Sequence, residues 1–156
     1  MANDIYGIAK QGFIANISVG SFTGQINWVE DNFSVALLDD TYVLDINNHV
    51  NRNDIQSSII LKANDEDLSV ASLNTTAIGS GIDYGTGYAE SVTLTNMRSD
   101  GTEVNSLVVY RDSGLDDPES DVLISYIETA ENIPLILNGG DVTIDWDLGT
   151  GRVFRL

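Results

Sequence analysis

Cysteine is absent from this 156-residue chain, which excludes disulfides and thiolate metal sites and leaves the redox compartment open. Basic residues are scarce. Lysine and arginine total 7 against 24 aspartates and glutamates, for a formal net charge of −17. Such a charge favours solubility and repels polyphosphate, so binding of DNA or RNA through its backbone is not expected. Long apolar runs are missing too: none approaches the roughly 20 residues of a membrane-spanning helix. The opening residues, MANDIYGIAKQGF, have neither a basic start nor an apolar core, so no secretory signal is expected and the sequons at Asn16, Asn32 and Asn74 read as chance matches. The expectation is a soluble protein made in the cytosol.

What is present is the composition of a folded domain, 42% hydrophobic and 20% charged, in a chain long enough to bury a core. A single domain over 1–156 is expected, with an N-terminal helix in 1–15 and a β-rich body over 16–156. Asn3 can cap that helix, and Ile5, Ile8, Ala9 and Phe13 are spaced to form one apolar stripe. Gly7 and Gly12 weaken it, so it needs a surface to pack on. Strands are predicted where apolar residues alternate or follow one another in short runs: Ile26 and Trp28; Phe33, Val35 and Leu37; Ile59–Leu61; Leu68–Leu73; Val92 and Leu94; Val122–Ile127; Val142, Ile144 and Trp146; Arg152–Leu156. Leu107–Tyr110 is apolar on both faces, as a central strand covered on each side must be.

Turns fall between these runs. Residues 39–54 read as an irregular loop with one helical turn around Asn48–Asn53, and Asn64–Asp67 as a solvated turn. Gly79–Gly87 reads as a flexible connection, and Ser99-Asp100-Gly101 as a hairpin turn. Asp112–Asp121 is a long acidic loop in which Pro118 prevents regular pairing; Pro134 starts or edges a strand, and Asn138-Gly139-Gly140 turns into the next. Many short strands, glycine-rich turns, one helix and no βαβ rhythm predict a mostly β fold, an antiparallel sandwich or jelly-roll-like domain with a short N-terminal helix.

No cofactor is implied by any motif. Asp141, Asp145 and Asp147 share one face of a strand, and carboxylates at that spacing can converge on Ca²⁺, which takes about six to eight oxygens. They equally form the polar face of a half-buried strand, and without a calcium-loop glycine or a bidentate glutamate no metal site is expected. A carboxylate pair roughly 5–10 Å apart could serve glycoside hydrolysis, yet acids so abundant make any chosen pair uninformative. His49 is the only histidine; no G-x-S-x-G serine accompanies it, and GSGIDYGTG matches no phosphate-binding glycine motif. No enzymatic activity is expected. Phe33, Tyr126 and Trp146 read as core. Tyr84 and Tyr88, in the glycine-rich segment, read either as partner contacts or as anchors of their own loop.

The last third, VNSLVVYRDSG followed by DVLISYIETAENIPLILNGGDVTIDWDLGTGRVFRL, resembles a group of small virion proteins of tailed bacteriophages. Their ends follow the pattern ALVIYKDTG … LIAYIDTA … GLP … NGGDI.V.WD.G … IF.L. Ile5-Tyr6-Gly7 with Ala9 and Phe13 is similar to that group's VYG.AL...L opening. Asn27–Asp39 is similar to its IDW.TDTI.VALLD segment, and Tyr42 with Asn47–Ile55 to its Y.PD..THEF..DI loop, where His49 stands close to the family's histidine. Residues 56–79 depart most. The resemblance implies a capsid decoration or cement protein on the outer surface of the head, bound to the major capsid protein as a homo-oligomer, a trimer by the symmetry usual in such lattices. A tail, baseplate or host-surface carbohydrate-binding module is the alternative. The opening helix, through Ile5, Tyr6 and Phe13, and the loop of Tyr84 and Tyr88 are the contact residues expected on that basis.

Overall fold

Strands that are apolar on both faces need cover on both sides, and three of them form the centre of the computed structural model, which describes residues 3–76, 86–146 and 152–155. The chain opens with β1 (Asp4–Ile5), α1 (Gly7–Ile14), and the hairpin of β2 (Ile17–Val19) and β3 (Phe22–Gly24). Then come β4 (Phe33–Leu38), β5 (Val70–Leu73), β6 (Thr75–Thr76), β7 (Thr86–Ala89), β8 (Val92–Leu94) and β9 (Glu103–Val104). The last are β10 (Ser106–Arg111), β11 (Val122–Ile127), β12 (Leu135–Ile136), β13 (Val142–Ile144) and β14 (Arg152–Arg155). The fold is mostly β, antiparallel throughout the described pairings, with one short α-helix near the N-terminus.

The main sheet has the order β1-β11-β10-β4-β5. Its interior strands β4 and β11 are buried at every position, so the half-buried alternation expected for Phe33–Leu37 is replaced by cover on both faces. One face carries Val35, Leu37, Leu107, Val109, Val122 and Ile124 into the larger core. Ala36, Leu38, Val108, Tyr110, Leu123 and Tyr126 enter a second, smaller core on the other. Strict alternation along β11 could not achieve this. Val109 pairs with Ser125 but Tyr110 pairs with Leu123, so Ile124 is an extra residue in a bulge. The bulge resets the parity, and both Ile127 and the Val122–Ile124 pair reach the larger core.

The larger core is closed by short elements, as in a sandwich. These are α1, the β2–β3 hairpin, the β8–β13 pair and the β14-β7-β6 sheet, which supply Ala9, Ile17, Leu94, Ile144, Trp146 and Phe154. The smaller core is covered without a sheet. Tyr42, Leu44 and Ile46 lie over it, followed by the 3₁₀ turns Arg52–Asp54 and Gln56–Ser58 with Ile55 and Ile59. The helical turn expected around Asn48–Asn53 is thus present, slightly later. Ile59–Leu61 forms only isolated bridges and no strand.

Three further expectations are corrected. Asn3 does not cap α1: its side chain donates to the Thr129 carbonyl and accepts from the Glu128 and Thr129 N–H groups. Because Asp4–Ile5 is extended against β11, the helix starts at Gly7 behind Tyr6. Ile26 and Trp28 belong to a turn-rich connection and not to a strand, although both are buried. Ser99–Gly101 closes no hairpin, since β8 pairs with β13 and β9 with β12. Gly12 also has a role beyond weakening the helix. A Cβ there would lie 2.5 Å from Ile26 Cδ1, so its absence lets α1 sit directly on the core.

Candidate functional site

The residues expected to meet a partner are mostly turned inward. Tyr6 is 0% exposed, and Ile5 and Tyr88 are buried as well. Phe13 is half-buried against Phe154, with ring centroids 5.3 Å apart. Tyr88 lies on β7 and not in a loop, and its carbonyl accepts the Trp28 indole N–H at 2.8 Å. The Tyr6 and Tyr88 rings are thus core residues in this chain, packed where burial of an aromatic ring stabilises the interior. Tyr84 and Asp147 lie outside the described residues.

A concave surface nonetheless forms beside α1. Ile5, Ile14, Ile127, Val153 and Phe154 line a groove of about 510 Å³, with Asp4 and Lys10 paired at 3.2 Å on its wall. Ile14 is 78% exposed. Ser125 also lines the groove; it is 2% exposed, and its hydroxyl has no hydrogen-bond partner among the described residues. The sequence hint for Ile14 was its place off the stripe of Ile5, Ile8, Ala9 and Phe13. Nothing local marked Val153, Phe154 or Ser125, which arrive from the far end of the chain.

On the opposite face of β11 a second cleft of about 400 Å³ is lined by Asp39, Asp40, Tyr42, Tyr126, Glu128 and Pro134, among others. Behind it runs a chain of hydroxyls. The Asp45 N–H donates to His49 Nδ1 at 3.3 Å, so that nitrogen is an acceptor and the Tyr42 hydroxyl donates to it at 2.8 Å. Tyr42 in turn accepts from the Tyr6 hydroxyl at 2.8 Å. Burial pushes the Tyr6 phenol far above its ordinary range, and the hydrogen bond to Tyr42 adds to this.

Burial likewise pushes Tyr42 and Tyr110 up to about 12. A raised phenol favours the neutral form in the folded state. Its stabilisation is complete below the unfolded value near 10 and is lost as pH rises through about 12. Alkaline titration followed at the phenolate absorbance should therefore show a late group of tyrosines ionising together with unfolding. Ionisation of all six tyrosines near pH 10 in a folded protein, about the ordinary value, would contradict this burial.

His49 thus serves as an acceptor within the 39–51 segment, with the Tyr42 ring tilted against it at 5.4 Å between ring centroids. Asp141 and Asp145 are exposed beside β13, on the face opposite Ile144, and no group of three or more metal-ligating side chains converges among the described residues. Among the described residues, four basic side chains form ion pairs within the chain. Arg52 pairs with Asp121 at 2.7 Å in the interior. Arg98 joins Asp65 and Asp100, and Lys10 joins Asp4. Arg111 pairs with Asp31 at 3.1 Å while stacking on Phe22 at 3.8 Å. Among the described carboxylates only Asp121 is buried, so the exterior carries the acidic excess. No helix is long and apolar enough to cross a membrane among the described residues. Comparison of the chain with protein-family models, with curated proteins and with solved structures finds no match.

Proposed function

We propose that this chain is a structural virion protein of a tailed bacteriophage. In this reading it is a decoration or cement protein that binds the major capsid protein on the outer head surface and stabilises the mature capsid without catalysing a reaction. It would act as a closed homo-oligomer, a trimer by the symmetry of such lattices. The observation that carries the reading is electrostatic. Arg52, Arg98, Arg111 and Lys10 each pair with an aspartate of the same chain, and the 24 acids outnumber the 7 bases with only Asp121 buried among the described carboxylates, so the surface field is acidic. Such a surface is repelled by packaged nucleic acid and suits a basic patch of a protein shell on the solvent side. The motifs that resemble the phage group supply the framework itself: LVVYR is in β10, LISYI in β11 and VFR in β14.

The test is to add the purified protein to capsids that lack it and image them by cryo-electron microscopy. Density on the shell with lattice symmetry is expected. A bare shell, with the protein only at the tail, would reject decoration. Raising salt from about 0.1 to about 1 M shortens the screening length from about 10 to about 3 Å and should lower occupancy. Occupancy unchanged by salt would remove the acidic surface, including the 112–121 loop, from the contact.

The cleft of Asp39, Asp40, Tyr42, Tyr126 and Glu128 favours one second reading, a tail or host-surface module that binds carbohydrate, because tyrosines and carboxylates are the groups that hold sugars. Chelator-sensitive affinity for a glycan would support it in its calcium-dependent form.

A further inference from the structure

We infer that Asn138 is a site of self-modification, in which its side-chain amide is lost to give aspartate and isoaspartate. Arg98 gates that reaction by holding the loop tips 98–101 and 138–140 together. This chemistry goes beyond decoration and does not depend on it.

Asn138-Gly139 is the one Asn-Gly pair in the chain, and Asn138, Gly139 and Gly140 are all exposed. A glycine after asparagine leaves its own peptide nitrogen unshielded, because no Cβ stands beside it. That nitrogen, once its proton passes to hydroxide, attacks Asn138 Cγ. The Cγ–Nδ2 bond breaks, ammonia leaves, and a cyclic succinimide remains. Water then opens the ring. Cleavage of the new N–Cγ bond gives aspartate. Cleavage at the main-chain carbonyl of residue 138 gives isoaspartate, with one extra carbon in the main chain.

In the fold both reacting groups are engaged. The Gly139 N–H donates to the Arg98 carbonyl at 2.7 Å, and Asn138 Oδ1 accepts the Gly140 N–H at 3.0 Å. The nitrogen can attack only after it leaves Arg98, so the reaction follows local opening of that contact. The Arg98 side chain fixes the contact in turn, pairing with Asp65 and, at 2.6 Å, with Asp100. The two tips touch: a Cβ on Gly139 would lie 3.2 Å from Ser99 Cβ.

The same guanidinium closes the one Asp-Gly pair of the chain, Asp100-Gly101, to this chemistry. The local geometry is alike, since Asp100 Oδ1 accepts the Thr102 N–H at 3.1 Å. Cyclisation there must expel water from a neutral carboxyl. Hydrogen bonds from Arg98, and then from Thr102, hold the Asp100 carboxyl well below the ordinary carboxylate range. The Asn138 amide carries no charge for an ion pair to hold. Asn138 is therefore where the chain reacts first, and the product adds a carboxylate to the turn between β12 and β13.

The test is peptide mapping by mass spectrometry on the full chain, incubated at mildly alkaline pH both folded and in guanidinium chloride. Asn138 should show the amide-to-acid mass change before any other asparagine. The folded chain should react roughly two- to tenfold more slowly than the unfolded one, the worth of one hydrogen bond. Arg98→Ala should speed the folded reaction roughly two- to fivefold, as loss of exposed ion pairs allows, and leave the unfolded rate unchanged. It should also release Asp100 to form isoaspartate, seen as a change in retention without a change in mass. Asp65→Ala, at a side chain 70% exposed, is the milder variant should Arg98→Ala not fold. Equal rates in the folded and unfolded chains would overturn the inference. So would a different asparagine reacting first, or folded rates that neither variant changes.

Discussion

Replacement of Asp121 by alanine is expected to cost about 3–5 kcal/mol of folding stability, a large part of the about 5–15 kcal/mol of a typical domain. Asp121 lies 1% exposed and accepts Arg52 Nε at 2.7 Å through one oxygen. Its other oxygen accepts the Ser113 N–H at 2.8 Å. The Arg52 guanidinium is buried as well, over the Tyr110 ring at 5.6 Å, with Gln56 Oε1 at 3.3 Å from Nη1. Removing the carboxylate leaves a charge in the interior with no compensating partner and frees the 112–121 loop from its closing contact. The Coulomb gain of such a pair barely exceeds its desolvation cost, so losing both partners is milder than losing one. The double variant Arg52→Met, Asp121→Leu should therefore be less destabilised than Asp121→Ala alone. Urea unfolding followed by far-ultraviolet circular dichroism measures this, with an unchanged slope marking a true stability effect. A double variant whose loss equals the sum of the single losses would show that the pair is not coupled.

Trp28→Ala should be comparably damaging, at about 3–5 kcal/mol. Its indole packs against Phe33 at 4.3 Å and edge-on against Phe154 at 4.8 Å. The indole N–H also holds the Tyr88 carbonyl. Trp146 repeats the device two residues on, donating to the Glu90 carbonyl at 3.0 Å. The two tryptophans thus pin the β7–β8 junction from positions far apart in the chain. Gly87 sits under the same cluster: a Cβ there would lie 2.5 Å from Phe154 Cε1, so the strand can approach the rings only because that position is glycine. Trp28→Phe keeps most of the ring contact but strands the Tyr88 carbonyl, which should cost about 1–3 kcal/mol. Equal losses for the two variants would mean that the hydrogen bond, and not the packing, carries the effect.

The strands at the centre were legible because their chemistry is local. Leu107–Tyr110 is apolar at successive positions, and only a strand covered on both sides satisfies that pattern. Val122–Ile127 carries the same signal, and the turn at Asn138–Gly140 is marked by residues that tolerate unusual backbone, with Gly139 at φ +87. Ile26 and Trp28 alternate with polar neighbours as strand residues do, yet they lie in a turn-rich connection, because two inward side chains in a short segment give the same pattern without a pairing partner. Asn3 was misassigned because a capping residue and a residue that clamps a neighbouring strand have the same side chain.

Periodicity, turn chemistry and charge thus specify a mostly β, acidic domain with an N-terminal helix, since each depends on neighbours a few residues away. Which residues face outward depends on pairing between distant segments. The bulge at Ile124 resets which face of β11 points into which core. The closing of Tyr6 beneath Tyr42 removes an expected contact residue from the surface. The groove exists only because β14, from the chain's last residues, lies beside its first helix. Burial and concavity are properties of packed surfaces, and no run of adjacent residues encodes them.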